Sequence, residues 1–285
     1  MYDLPDGIPE SVRAAITEDL GSGDVTAVLV DSATDADATV IVREHAVLCG
    51  RAWFDEVFAQ VEPRARVVWS AADGDAIEPD QLVCTVQGPA RGILSAERTA
   101  LNFLQTLSGT ATATARYVAR VATTGCRILD TRKTIPGLRA AQKFAVRCGG
   151  GTNHRMGLYD AILIKENHIA SAGSVAAAIE AARRANPGLP IEVEVETLEQ
   201  IDEALATGVE RLLLDNFDHN ALAIAVQRNA RAGQRRAELE ASGNMTEDDL
   251  VDVAATGVDF ISVGALTKHV RATDFSMRFE FGSTD

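Results

Sequence analysis

The sequence predicts an α/β protein: an α+β layer over the first hundred residues, followed by a parallel β/α barrel of about six strands. Two observations carry this. From residue 126 onward, short apolar runs recur at 126–130, 161–165, 190–195, 211–215, 237–241 and 258–263. Stretches with helical spacing lie between them, at 174–185, 198–206, 218–231 and 246–255. Strands alternating with helices build parallel βαβ units. Secondly, Asp130, Lys165, Glu194, Asp215, Glu240 and Gly264 all fall at or just past the C-terminal end of a run. That is the face where β/α barrels gather their active sites. Six runs rather than eight make the barrel incomplete or irregular.

The first layer is justified element by element. Residues 9–20 place Val12, Ala15, Ile16 and Leu20 at helical spacing and stop at Gly21. Residues 38–43 (A-T-V-I-V-R) and 66–69 (R-V-V-W) have strand composition, with a helical stretch at 51–61 between them. A-D-G-D at 72–75 is a turn, and L-V-C-T-V at 82–86 a further strand. After Pro89 come two helical patterns, 92–107 and 110–123. The final run, D-F-S-M-R-F-E-F at 274–281, alternates like a strand and is expected to return to the first layer. These readings divide the chain into a first domain, 1–108, joined again by 271–285, and a barrel domain, 109–270.

The charge is unevenly spread. The 285 residues hold 27 basic and 41 acidic side chains, a net of −14. Between Arg98 and Lys165, however, eleven Lys and Arg face only Asp130 and Asp160, leaving about −23 outside that window. So cationic a segment needs anions, and the glycine triplet 149–151 indicates a close approach of the backbone to something. A small polyanion fits better than nucleic acid, because an acidic surface repels a long phosphate backbone. No apolar run approaches the roughly 20 residues of a membrane span. The first ten residues, with Asp3, Asp6 and Glu10, do not resemble a signal peptide. Cys49, Cys84, Cys126 and Cys148 form no C-x-x-C pair, which points to reduced thiols in a cytoplasm and a packing role for Cys148.

Several residue sets carry chemistry. Arg132, Lys133, Arg155 and Lys165, with His154 nearby, come from three segments that one barrel mouth could gather. Guanidinium forks grip carboxylates or phosphates, and lysine adds a compact charge. Arg139, Lys143 and Arg147 fit solvated surface charge equally well. Glu194 and Asp215 end successive strands, where carboxylates among cations hold ribose hydroxyls or, with a phosphate ligand, Mg²⁺. Alternation puts Glu192, Glu194 and Glu196 on one face and cannot tell them apart. The loops Ser242-Gly243-Asn244 and Val263-Gly264-Ala265 are expected to open onto helices and grip a phosphate, as the last strand loops of barrels often do.

Nine motifs together resemble one family. They are E-D-L-G-S-G-D-V-T (18–26), A-E-R-T-A-L-N (96–102), D-T-R-K-T-I-P-G-L-R (130–139), R-C-G-G-G-T-N-H-R-M-G-L (147–158), K-E-N-H (165–168), E-V-E-V-E (192–196), L-D-N-F (214–217), A-S-G-N (241–244) and V-G-A-L-T (263–267). In this order they are similar to the quinolinate phosphoribosyltransferases, the carboxylating nicotinate-nucleotide pyrophosphorylases of NAD biosynthesis. The resemblance implies an N-terminal α+β sandwich domain and a C-terminal incomplete β/α barrel. It implies that Arg132, His154, Arg155 and Lys165 bind the two carboxylates of quinolinate, with Arg98 supplied by a neighbouring subunit of a homo-oligomer that is at least a dimer. It further implies that Thr131, Lys133, Glu194 and Asp215 hold the ribose and Mg²⁺-pyrophosphate of phosphoribosyl pyrophosphate. Ser242, Gly243, Asn244, Val263, Gly264 and Ala265 would take its 5-phosphate. Lys133, Lys165, Glu194 and Asp215 are the implied catalytic residues of a pentosyltransferase.

Three alternatives stand beside it. A related phosphoribosyltransferase could use another pyridine or pyrrole acid. A Schiff-base lyase with Lys165 as nucleophile would need that lysine desolvated. A non-catalytic anion-binding protein would leave Glu194 and Asp215 without a task.

Overall fold

The protein's structure is a computed structural model describing residues 2–243 and 245–281. Its strands in chain order are β1 (Asp35–Val42), β2 (Ala46–Val47), β3 (Arg66–Trp69), β4 (Ala76–Ile77), β5 (Leu82–Pro89), β6 (Arg127–Leu129), β7 (Ile162–Ile164), β8 (Ile191–Val195), β9 (Arg211–Asp215), β10 (Glu238–Ser242), β11 (Phe260–Ser262) and β12 (Phe275–Phe281). The chain divides into two compact units. One is Met1–Ala115 with Thr134–Gly150 and Leu266–Asp285; the other is Arg116–Lys133 with Gly151–Ala265.

In the first unit, β1 buries Ala36, Ala38, Val40 and Val42 while Asp35 and Asp37 face outward, the alternation of a half-covered antiparallel strand. It pairs antiparallel with β5 on one side and β12 on the other, in the sheet order β12-β1-β5-β3. The C-terminal run therefore does return to the first layer. The core joins Trp53, Phe54, Val57 and Phe58 of the helix Arg51–Val61 to Ile93, Ala96, Ala100, Leu104 and Leu107 of a long helix. Those last residues recur every three or four positions, the stripe by which a helix buries one face.

That long helix, Ala90–Val121, replaces the two helices expected at 92–107 and 110–123. The interruption expected at Ser108-Gly109 has another cause. Ser108 Oγ accepts from the Cys49 amide and donates to the Cys49 carbonyl, at 2.9 and 3.1 Å. A Cβ on Gly109 would lie 2.1 Å from the Arg271 carbonyl oxygen, so the glycine makes room for the returning chain. The helix Arg139–Cys148 also belongs to this unit, because Ala141, Phe144, Ala145 and Cys148 enter its core and Phe144 packs 5.5 Å from Trp53. The expected division at 108/109 thus runs through a continuous helix, and residues 134–150, placed in the barrel by sequence, lie with the first unit.

The second unit holds the six expected strands, all parallel, in the order β6-β11-β10-β9-β8-β7. Among these six, the first in the chain, β6, pairs with the last, β11, which is the cyclic order of a barrel with its seam between β6 and β7. Thr152 lies along β6 at this seam: its amide donates to Ile128 O, and Asp130 N donates to Thr152 O. The N-terminal end of the barrel is filled by Phe260, with the guanidinium groups of Arg127 and Arg211 over its ring at 4.3 and 4.4 Å. The helix expected at 246–255 is shorter, Leu250–Ala255.

Candidate active site

Asp130 anchors the seam. It follows β6, is fully buried, and accepts from Asn153 Nδ2 at 2.5 Å and from the His154 amide at 2.9 Å. The motifs D-T-R-K and T-N-H-R, over twenty residues apart, are joined through this one carboxylate. The Lys133 amide donates to Thr131 Oγ1, and a Cβ on Gly264 would come within 3.0 Å of Lys133 Cδ and 3.5 Å of Thr131 Oγ1. The loops after β6 and β11 therefore touch, and Gly264 is the residue that lets the Lys133 side chain lie across the second loop.

At the C-terminal ends of β7, β8 and β9 stand Lys165, Glu194 and Asp215. Lys165 Nζ donates to Glu194 Oε2 at 2.5 Å, and both side chains keep contact with solvent. The helix Glu166–Ala172 begins directly after Lys165, and His168 in its first turn accepts from the Lys165 amide at 2.9 Å. K-E-N-H is thus a helix start that fixes the backbone under the lysine. Asp215 Oδ2 accepts from Asn216 Nδ2 at 2.7 Å. Asn216 has a positive φ of 57°, a conformation asparagine tolerates, and its amide donates to Ser242 O. Its side chain lies against Gly243, where a Cβ would be 3.0 Å from Asn216 Oδ1. The Ser242-Gly243 loop thereby joins the loop after β9, although among the described residues no helix follows it before Leu250. After β11 only the short helix Ala265–Lys268 follows. Asn244 lies outside the described residues.

Deeper in the barrel is a group sequence reasoning missed. His154 Nδ1 accepts from the Arg155 amide at 2.7 Å, and His154 Nε2 faces Glu192 Oε2 at 2.7 Å and Glu240 Oε2 at 3.4 Å. Glu192 and Glu240 are 6 % and 1 % exposed. Among the described residues, Glu192 Oε1 and both Glu240 oxygens have no hydrogen-bond partner. Burial, and after it the Glu192 carboxylate, push Glu240 up to about 8, so it keeps its proton at neutral pH. Burial also raises Glu192. Depth separates the three glutamates that alternation could not: Glu192 is buried against His154, Glu194 pairs with Lys165 at the rim, and Glu196 is exposed.

Arg155 lies within electrostatic reach of Arg132. Its Nη1 donates to the carbonyl of Ala161, just before β7, at 3.2 Å. It lines a cavity of about 320 Å³ with His154, Glu192, Arg211 and Glu238, at the strands' N-terminal ends. Burial, and then the Arg132 guanidinium, lower its proton affinity. Arg139 donates to Thr134 Oγ1 and Arg147 to Asp3 O, both within the first unit, and Lys143 is fully buried there. The triplet glycine Gly149 packs on the long helix, where a Cβ would be 2.3 Å from Ala111 O, so that close approach is one of packing. Arg98 is exposed on the long helix and makes no ion pair with any described residue. For Mg²⁺, Glu194 and Asp215 offer hard oxygen donors on adjacent strands, and two carboxylates at an open rim leave coordination positions for phosphate oxygens and water. That donor set fits the ion.

Known proteins match both parts of the chain. Residues 24–108 match the family model of the quinolinate phosphoribosyl transferase N-terminal domain, and residues 110–278 that of its C-terminal domain. The nicotinate-nucleotide pyrophosphorylase [carboxylating] of Mycobacterium leprae is 45% identical over 279 residues, covering 95% of this chain and 97% of the relative. A probable enzyme of the same name from Bacillus subtilis is 39% identical over 261 residues, covering 91% and 89%. The nicotinate-nucleotide pyrophosphorylase structure from Francisella tularensis superposes with a TM-score of 0.92 at 42% identity, covering 98% of both chains. With both domain models matched in order and the six-stranded parallel barrel in place, this chain belongs to the quinolinate phosphoribosyltransferase family.

Proposed function

We propose that the protein transfers the phosphoribosyl group of phosphoribosyl pyrophosphate to quinolinate and releases one carboxylate as CO₂, giving nicotinate mononucleotide and pyrophosphate. The observation that carries this reading is the rim of the barrel. Lys165 paired to Glu194, Asp215, and Lys133 lying across Gly264 bring cations and carboxylates to the strand ends where the family motifs fall.

Chemically, pyrophosphate leaves the anomeric carbon as an oxocarbenium-like centre develops, and the pyridine nitrogen attacks that carbon. Lys133 and Lys165 stabilise developing negative charge, while Thr131, Glu194 and Asp215 orient the ribose and diphosphate. Glu194 and Asp215 would hold Mg²⁺, which when bound neutralises the diphosphate. Ser242, Gly243, Val263, Gly264 and Ala265 take the 5-phosphate. Arg132 and Lys165 meet the acid's carboxylates. Once alkylated, the ring nitrogen is positive and stabilises the electron pair that stays on ring carbon 2 when the adjacent carboxylate departs as CO₂, and that carbon then takes up a proton. Arg98 completes the site from a neighbouring copy, and the enzyme works in the cytoplasm.

The Schiff-base reading loses ground at Lys165. Its Nζ is exposed and ion-paired to the Glu194 carboxylate, an arrangement that holds charge rather than presents a nitrogen to a carbonyl. A paralogue acting on another pyridine acid is tested by comparing quinolinate with nicotinate. Deleting one carboxylate leaves a cation unmatched, typically several kcal/mol, so nicotinate turnover is expected at least about 10²-fold lower in kcat/KM. Comparable turnover of nicotinate would overturn the assignment.

A further inference from the structure

Two loops of the proposed site, one carrying Thr131 and Lys133 and the other Gly264 and Ala265, pass into the first unit at Thr134 and Leu266. Just beyond both crossings, the chain meets the same side chain. Gln142 Oε1 accepts from the Ile135 amide at 2.8 Å, and Gln142 Nε2 donates to the Thr267 carbonyl at 2.9 Å. Ile135 is two residues past Lys133, and Thr267 two residues past Ala265. Gln142 is fully buried, and all three partners of this arrangement belong to the first unit.

The glutamine is itself firmly held. It lies at the close of the first turn of the helix Arg139–Cys148, where its own amide donates to Leu138 O at 2.8 Å. Ahead of that helix the Leu138 amide donates to Ile135 O at 3.1 Å, with Pro136 and Gly137 between them and Gly137 at a φ of 80°. Proline followed by a left-handed glycine is the signature of a type II turn. The turn and the helix therefore present the Gln142 amide from a fixed base. A neutral amide offers an acceptor and a donor in one plane, whereas a hydrocarbon of the same length would serve neither backbone group. We infer that Gln142 is a positioning residue: its side chain ties the exit of the loop after β6 to the exit of the loop after β11. It thereby sets the spacing between Lys133 and the Gly264 backbone, across which phosphoribosyl pyrophosphate is to be held. Gln142 acts through these two segments and not on the substrate.

This inference deepens the proposed function and rests on it for its kinetic part. In the free wild-type protein, the Ile135 amide and one side-chain N–H of Gln142 should exchange with solvent at the slow rates of buried, hydrogen-bonded groups. Gln142→Met keeps the length of the side chain and removes both bonds, so exchange should quicken about tenfold or more at Ile135 and across 264–269 together. Gln142→Glu retains an acceptor in either protonation state and should keep the Ile135 amide protected. With both substrates, Gln142→Met should raise the KM for phosphoribosyl pyrophosphate about tenfold, with smaller changes in quinolinate KM and in kcat. Val57→Ala opens a cavity in the same unit's core, on the helix Arg51–Val61, and controls for lost stability. It should leave the phosphoribosyl pyrophosphate KM within about twofold of wild type. Solvent-rate exchange in the wild type, or quickening in only one of the two segments of Gln142→Met, would overturn the inference. So would an unchanged phosphoribosyl pyrophosphate KM in Gln142→Met, or an equal rise in Val57→Ala. If wild type does not turn over quinolinate, the functional reading fails by itself, and the exchange rates of the free protein still decide whether Gln142 ties the two segments.

Discussion

Glu240 carries its own pH signature. Its folded-state value, about 8, lies far above that of a solvated carboxyl. The folded protein therefore holds a proton that the unfolded chain releases between about pH 4.5 and pH 8, and stability falls as pH rises through that window. His154, Glu192 and Ser262 face this carboxyl. Glu240→Gln keeps the shape and cannot ionise, so its melting temperature relative to wild type should climb from about pH 5 to about pH 8 and then level off. A difference independent of pH would show that Glu240 is ionised in the fold. At this scale the sequence was legible where a residue ends a strand, as with Lys165, Glu194 and Asp215. It was not legible where depth matters. Nothing in I-E-V-E-V-E distinguishes the glutamate facing His154 from the one facing Lys165, because both share a face and differ only in distance from the rim. The direction of the Arg155 side chain, back to Ala161, is likewise not encoded in its motif.

Among the elements, the long helix shows why a local signal misleads. Ser108-Gly109 has the composition of a break, and sequence cannot reveal that another segment packs there. Gly109→Ala gains about 1 kcal/mol of helix propensity. It also places a methyl 2.1 Å from a backbone oxygen that cannot move aside, and overpacking of this kind costs about 1–3 kcal/mol or more. The clash should win, lowering the melting temperature; a more stable variant would mean that the Arg271 segment does not sit against the helix. The six barrel strands, in contrast, were readable to within a residue or two, because each is an apolar run between turn signals. The allegiance of the helix Arg139–Cys148 was not readable: its apolar face fits Trp53 and the first unit's core, a long-range fact absent from its own ten residues.

On the scale of the whole molecule, the basic stretch from Arg98 to Lys165 has two fates. Arg116 and Arg120 pair with Glu247 and Asp248 inside the second unit, and Arg127 lies near Glu238, so part of the run is structural charge. Arg98 meets no such partner, as a residue would that serves another copy of the chain. Mixing Arg98→Ala with Lys165→Ala tests this. Each should be inactive alone, whereas random reassortment of dimers gives half mixed, each with one intact site of two, restoring about a quarter of wild-type activity. No recovery after verified subunit exchange would place Arg98 outside any shared site.

Loss of CO₂ is expected to follow glycosylation of the ring nitrogen and to depend on it. Quinolinate labelled at the carboxylate beside the nitrogen, and separately at the other carboxylate, tests this directly. With phosphoribosyl pyrophosphate and Mg²⁺ present, label should leave as CO₂ only from the carboxylate beside the nitrogen, one equivalent per pyrophosphate formed. Omitting phosphoribosyl pyrophosphate should abolish release. Release without that substrate, release from the other carboxylate, or pyrophosphate formation with no CO₂ would contradict the account.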